Sequence, residues 1–442
     1  MPVTRGACPS LSQPMATGDG LLARLTPSAP IPLDTFIALC EASRTHGNGI
    51  VEVTQRGSLQ VRGLSPASAP VFARTVSELG LGTQSGPPIL TSPLMGLDAQ
   101  DGVDLGVLVD QLRAELTHCA AVAALGPKVS VLIDGGGVLH LDDVPSDLRL
   151  QAHTASRWHM SIAGTAAAGT GLGWVEPHRA LEVIVRVLGR IAQRGTAARA
   201  RDFANGTDVR ALRASLAGVL GDEAPPTPRP RAEPIGSHRL NDGRTAVGIA
   251  LAFGYAEAGA LERIARAAAR YGAASIRPAP GRALLTIGLT AAAAAEFTAA
   301  AATQGFVVRP DDARRYVVAC AGAPACASAL LPTRQLAPVI AEAAKPILDG
   351  SLTIHVSGCA KGCAHPGAAA LTLIGPDRLV LQGRAGDPPH GTISATAFIA
   401  GLSRLQAERQ RSSAGEECSV DMMSRLGANR VLAIMAEEPM HD

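Results

Sequence analysis

The chain has 442 residues, 47% of them apolar but only 3% aromatic, and a formal net charge of +2. That length allows roughly two to four domains, and the near-neutral charge argues against a nucleic-acid or membrane partner. No apolar run reaches the roughly 18 residues of a membrane span. The first twenty residues lack the apolar core of a signal peptide, so the expected location is the cytoplasm, where cysteines serve as free thiols or metal ligands.

In chain order, GLLARLTP (20–27) reads as a strand and 33–46 as a helix. GIVEVTQRGSLQVRGL (49–64) reads as two strands around a turn, and 67–79 as a second helix. Arg56 and Arg62 stand six residues apart in that stretch. At the two-residue period of a strand they share one face, and a face of guanidinium groups suits a polycarboxylate. PKVSVLIDGGG (127–137) reads as a strand running into glycines, where backbone can approach a ligand closely. Lys128, Asp134 and Gly135–Gly137 form one candidate group there.

DEAPPTPRPRAEPIG (222–236), with five prolines, reads as a linker. The second half then repeats the first. VGIALAF (247–253) is followed by a helix over 256–271, SIRPAPGRALLTIGL (275–289) and a helix over 291–302. Ile50 aligns with Ile276 and Arg56 with Arg282, an offset of 226. SVLIDGGG (130–137) aligns with TIHVSGCA (353–360), an offset of 223 that places Gly136 opposite Cys359. Two near-equal offsets in the same order imply an internal duplication. The polar stretch after about residue 405 is expected to extend past the last domain, partly disordered or helical, and Cys418 within it to be incidental.

Cys320 and Cys326 form C-x5-C; after a gap of 32 residues, Cys359 and Cys363 form C-x3-C. Four thiolates suit zinc or an iron–sulfur cluster. Structural zinc sites favour shorter first spacers, so the five-residue spacer and small loop residues lean towards a bulkier 4Fe–4S cube. Only three of the 40 basic residues are lysines, and two of them, Lys128 and Lys361, sit inside these motifs. Of eleven histidines, His365 beside Cys363 and His159 are the most conspicuous, and their spacing does not yield a ligand set for a mononuclear iron. Neither a G-x-G-x-x-G after a strand nor a Walker A motif is present, so nicotinamide electrons need a separate reductase or a site without these fingerprints.

The cysteine pattern within a duplicated chain resembles the sulfite and nitrite reductases. The resemblance implies an α+β fold about a pseudo-two-fold axis. Ferredoxin-like half-domains would occupy 15–85 and 241–310, and α/β reductase domains 90–220 and 315–405, the latter carrying the cluster. A linker at 221–240 and a C-terminal extension at 406–442 complete the expected layout. In that family four thiolates hold a 4Fe–4S cluster and the last bridges to sirohaem. Arg56 falls at an anion-binding arginine and Lys128 at one of two active-site lysines, which makes both candidate catalytic residues. The chain departs from the pattern at the second lysine, where it has Ser130, and at a further arginine, where it has Pro87 or Pro88. A site lacking two cations is poorly built for reducing sulfite or nitrite.

Three blocks, RGACPSLSQPMATGDGLLARL (5–25), IRPAPGRALL (276–285) and SGCAKGCAHPG (357–367), are similar to the precorrin-3B synthase branch. That resemblance implies a monooxygenase of cobalamin biosynthesis, using O2 to hydroxylate precorrin-3A at C20 with γ-lactone formation. It implies a 4Fe–4S cluster on Cys320, Cys326, Cys359 and Cys363, a mononuclear non-haem iron of unknown ligands, and NADH as indirect electron donor through a reductase. Arg56, Arg62, Lys128, Arg277 and Arg282 are then candidates for the carboxylates of a tetrapyrrole occupying the sirohaem position, with Cys363 a simple cluster ligand. The alternative is a sirohaem-dependent sulfite or nitrite reductase.

Overall fold

Leu33, Phe36, Leu39, Cys40 and Ser43 recur at helical spacing, and they form the buried face of the helix Leu33–His46. Asp34 in its first turn and Arg44 and His46 in its last complement the helix dipole. The computed structural model to which this helix belongs describes residues 9–81, 87–100, 103–221, 224–365, 367–411 and 417–436. Residues 5–8 of the N-terminal block and Pro366 of the cysteine block lie outside that range, as do parts of the linker and C-terminal stretch.

Two compact units are present. The first comprises Leu22–Ile249 and Glu257–Gln304 with the described residues before Ala16; the second comprises Ala16–Leu21, Ala250–Ala256 and the chain from Gly305. In the first unit, Ile50–Val53 and Leu59–Leu64 pair as an antiparallel hairpin, with Val51 opposite Val61. The repeat of this motif is the helix Ala258–Arg270, the hairpin Ser275–Ala279 with Ala283–Leu289, and the helix Ala291–Thr303. The equivalent helices Leu33–His46 and Ala258–Arg270 pack on each other, tied by Arg44 to Glu262 at 2.8 Å. Ile31–Pro32, which leads into the first helix, pairs with Ser275 and Ile276 of the second copy.

The first unit also contains a six-stranded sheet. Its strand order is Leu220–Gly221, Thr170–Val175, Arg157–Gly164, Ser146–Thr154, Val131–Asp134, Ile89–Thr91. Val131, Ile133, Leu148, Leu150, Met160 and Ile162 line one face and join a core with the helices Gly106–His118 and Ala180–Gln193. Alternate residues put Asp134, Arg149, Gln151, His159 and Ser161 on the other face, all buried.

In the second unit the strand order is Val317–Ala319, Ile354–Ser357, Ala369–Ile374, Arg378–Gly383, Gly391–Thr392. Both sheets run parallel, parallel, antiparallel, antiparallel from the equivalent edge. Leu132 pairs with Arg149 in one and His355 with Thr372 in the other. Both partners differ by the 223 residues read from the sequence, so the duplication extends to strand register.

The C-terminal stretch departs from expectation. Ala395–Arg411 and Ser419–Ala436 are helices packed on each other, and Phe398, Leu402, Leu405, Met422, Met423, Val431, Ile434 and Met435 join the second unit's core. The polar run between the helices hides an apolar face that resumes after it. Met435→Ala is expected to destabilise this unit by about 2–5 kcal/mol, read as a lower thermal midpoint and faster proteolysis after residue 411. No helix among the described residues is long and apolar enough to cross a membrane.

Candidate functional site

Parallel pairing of Val317–Ala319 with Ile354–Ser357 brings the C-terminal ends of both strands together, and a cysteine pair follows each. Cys320 N–H donates to Val356 O at 3.3 Å, and Leu330 N–H to Gly358 O at 2.8 Å. Gly358 N–H points at Cys320 Sγ, 3.2 Å away. Thr333 Oγ1 donates to Cys320 O at 2.8 Å and lies 3.6 Å from its sulfur. Lys361 Nζ donates to Ser328 Oγ at 2.8 Å, bridging the two cysteine loops. Gly322 has φ +68°, and a Cβ there would lie 2.4 Å from Thr333 Oγ1. A Cβ on Gly358 would lie 2.5 Å from that of Ala329. Four cysteines on two adjoining loops, an amide aimed at one sulfur and glycines where side chains would collide fit an iron–sulfur cluster. His355, fully buried, and His365 stack edge to face in the same segment with ring centres 5.6 Å apart.

In the first unit the predicted arginines divide. Arg56 and Arg62 do not share a strand face. Residues 54–58 are the hairpin turn, closed by Thr54 N–H donating to Ser58 O at 2.8 Å, so the two-residue period breaks between them. Arg56 is exposed in that turn, which lies against the equivalent turn of the second copy. Arg56 bridges to Pro280, and Gly281 N–H donates to Gln55 O at 3.1 Å. Gly57, φ +79°, sits where a Cβ would be 2.8 Å from Ala279 C.

Arg62 is buried and meets Glu52 at 3.4 Å. With the Gln60 amide set to satisfy both neighbours, its nitrogen donates to Glu52 at 3.0 Å and its oxygen accepts from Arg24 at 2.6 and 2.9 Å. Burial pulls the Arg282 guanidinium down to about 10 against the opposing pull of Glu52. Arg62 and Arg282 therefore gather at Glu52, Arg24 joins it through Gln60, and Arg282 remains charged at neutral pH. Arg24, Glu52 and Gln60 escape the sequence reading; Gln60 and Arg62 at i, i+2 on one strand were the available signal. Arg277, also lowered to about 10 by burial and then by Arg113, donates instead to Thr91 Oγ1 at 3.0 Å.

Over 437 residues the chain is 38% identical to a precorrin-3B synthase of a Sinorhizobium species, covering 97% of this chain and 94% of that protein. The chain belongs to the precorrin-3B synthase family. Nitrite reductases are more distant: the ferredoxin–nitrite reductase of Synechococcus elongatus is 25% identical over 82% of this chain and 77% of its own length. Residues 13–79 match the family described as nitrite/sulfite reductase ferredoxin-like half domain. The structure of Mycobacterium tuberculosis NirA superposes with a TM-score of 0.72 at 19% identity, covering 93% of this chain and 84% of that one, which shows the shared fold.

In this member of the precorrin-3B synthase family, Lys128 and Asp134 do not form one group. Lys128 is exposed before the strand Val131–Asp134, and Asp134 is buried at its far end. Ser130 is fully buried, and its N–H donates to Asp147 at 3.0 Å. Asp147 in turn holds Arg199 at 2.7 Å. The position at which the resemblance led a second lysine to be expected is Ser130, part of this buried network.

Asp134, His140 and Asp142 bring three ligand atoms within 4.8 Å of one another. Reading the histidines by spacing passes over this H-x-D pair. Arg229 of the linker reaches both carboxylates at 2.6 Å, and His140 Nε2 meets Pro230 O at 2.8 Å. Burial would raise the Asp142 carboxyl, but the Arg229 hydrogen bond and charge outweigh it and hold it below the usual range. Arg149, fully buried beside them, supplies a second guanidinium. Two carboxylates balanced by two guanidiniums leave no charge vacancy for a metal cation.

His159 is buried in contact with Trp174, ring centres 5.4 Å apart. Burial, then His153, lowers it from 6.5 to about 4. Below pH 6.5 the unfolded chain binds a proton that the folded imidazole refuses until about pH 4. Stability therefore falls with pH across that window, by about 3 kcal/mol in all. His159→Gln is expected to flatten that acid limb in thermal unfolding followed from pH 7 to 4.

Proposed function

We propose that the protein catalyses the precorrin-3B synthase reaction, the O2-dependent hydroxylation of precorrin-3A at C20 with γ-lactone closure, in the cytoplasm. The observation that carries this reading is the 38% identity across 97% of the chain. The chemistry of two sites supports it. A methylated tetrapyrrole carries eight carboxylates, and the guanidinium groups of Arg24, Arg62 and Arg282, gathered near Glu52 and Gln60, are of the kind that recognises them. Arg277 and the exposed cations Arg56 and Lys128 are further carboxylate partners, with Arg56 and Lys128 the two proposed to reach the reacting centre.

A 4Fe–4S cluster on Cys320, Cys326, Cys359 and Cys363, when bound, supplies single electrons. Electrons are proposed to come from NADH through a donor reductase. The family resemblance also implies a mononuclear non-haem iron. Among the described residues the His/carboxylate cluster that resembles such a site is neutralised by Arg229, so no step is assigned to that iron.

O2 consumption with precorrin-3A and a reductant, with a product one oxygen atom heavier, tests the reading. A strong Soret band from bound sirohaem, with sulfite or nitrite turnover, would overturn it. Arg282→Asn keeps a side chain that tolerates the positive φ of 62° at this position. It is expected to raise KM for the tetrapyrrole about tenfold or more while kcat changes little, the signature of lost ground-state binding.

A further inference from the structure

Residues Ala16–Leu21 pack with the second unit, away in sequence from everything else there. Within them Thr17 Oγ1 donates to Asp19 Oδ1 at 2.8 Å and to Gly20 O at 2.7 Å, closing the tight turn Thr17-Gly18-Asp19-Gly20. Gly18 O accepts from Ala327 N–H at 3.0 Å, which fixes the turn on the loop that carries Cys326. A Cβ built on Gly18 would lie 2.3 Å from Cys326 Sγ, 2.9 Å from Ala327 N and 3.2 Å from Cys326 C. The φ of Gly18 lies outside the left-handed region, so this glycine is required by space alone. Its α-carbon is the wall against which the sulfur rests.

We propose that this turn is a cap of the cluster site and that Gly18 is a positioning residue for Cys326, shielding its thiolate from solvent and O2. The proposal rests on the four-thiolate reading above. The physical need is plain: the proposed reaction admits O2 to the protein that holds the cluster, and solvent access to cluster sulfurs governs both potential and oxidative loss. Cys363 is exposed whereas Cys326, like Cys320 and Cys359, is half-buried, and the turn supplies cover at the Cys326 sulfur. Gly358 N–H approaches the sulfur of Cys320, whereas the Ala327 N–H next to Cys326 is committed to Gly18 O. The turn thus fixes both the position of the Cys326 sulfur and the hydrogen bonding of the amide beside it.

The test uses full-length protein reconstituted anaerobically with ferrous iron and sulfide. Gly18→Ala adds one carbon where the sulfur lies. Its cluster is expected to show an altered EPR spectrum and to bleach in air-saturated buffer about tenfold faster than the wild-type cluster. Thr17→Val loosens the turn without placing an atom on the sulfur and is expected to shorten the lifetime less. Far-UV circular dichroism checks the fold of both variants. A second arm reads the turn without metal. In cluster-free protein, iodoacetamide followed by mass spectrometry is expected to alkylate Cys363 well before Cys326, and Gly18→Ala or Thr17→Val to narrow the gap. Wild-type EPR, air lifetime and Cys326 labelling in both variants would overturn the proposal. Wild-type protein that takes up no iron and sulfide would overturn the four-thiolate reading instead, and the labelling arm would still decide whether the turn caps Cys326.

Discussion

Cys359→Ala is expected to strip the protein of the proposed iron–sulfur centre and bring turnover below detection. Cys359 begins the loop after Ile354–Ser357, and the Gly358 N–H beside it points at Cys320 Sγ, so one substitution removes a ligand at the point where the two cysteine loops meet. Soft thiolates are the donors that select such clusters, and alanine offers nothing in their place. Iron and sulfide analysis with EPR of the reduced protein checks the outcome, and wild-type iron content in the variant would refute the assignment. Cys40→Ala is the control. Burial, then Glu262, raises its thiol to about 12. It stays protonated and inert, so cluster content is expected to be unchanged.

Arg229→Ala is expected to cost about 3–5 kcal/mol, the usual effect of removing one partner from a buried ion-pair network. The substitution leaves Asp134, fully buried, and Asp142, largely so, without their shared guanidinium. The pH dependence gives a second reading. In the native chain the lowered Asp142 carboxyl contributes stability above the unfolded carboxylate range, and that contribution is lost as pH falls through its folded value. Without Arg229 the sign reverses. Burial, no longer opposed by Arg229, raises the Asp142 carboxyl, which then binds a proton more readily than in the unfolded chain, so the variant regains stability as pH falls from neutral. Thermal unfolding of both proteins between pH 8 and 5 checks this; parallel curves would show that the network carries no net charge stabilisation.

Much of the fold was legible because local periodicity and global packing agree. The helix read over 33–46 is Leu33–His46, and the offset of 223 reappears in strand register. The juxtaposition of the two cysteine loops follows from the parallel pairing of the strands that precede them, which the repeated strand-and-glycine pattern made legible. The arginines were not legible. Arg56 and Arg62 carry the right chemistry, but Arg56 sits in the turn 54–58 and Arg62 on the strand after it, and a period counted from a turn has no meaning. Arg24 and Gln60 join the cationic cluster by strand pairing, which composition does not encode. The C-terminal helices were obscured by the polar run between them, although Met422, Met423 and Met435 mark their buried side. Arg229 was hidden for the opposite reason: it lies in a proline-rich stretch whose composition signals a spacer.

That stretch limits how the chain can be rearranged. The seam between two repeats is ordinarily where insertion, shortening and circular permutation are tolerated. Here the seam returns to the first repeat: Ala224 O accepts from Trp174 Nε1 at 2.9 Å, Arg229 neutralises Asp134 and Asp142, and Arg231 meets Asp143 at 3.4 Å. A gene split or permuted ahead of Ala224 would deprive the first repeat of its counter-charge, whereas one divided after Glu233 would keep it. The ancestral join has become bonded to one copy, so the two halves are no longer interchangeable modules.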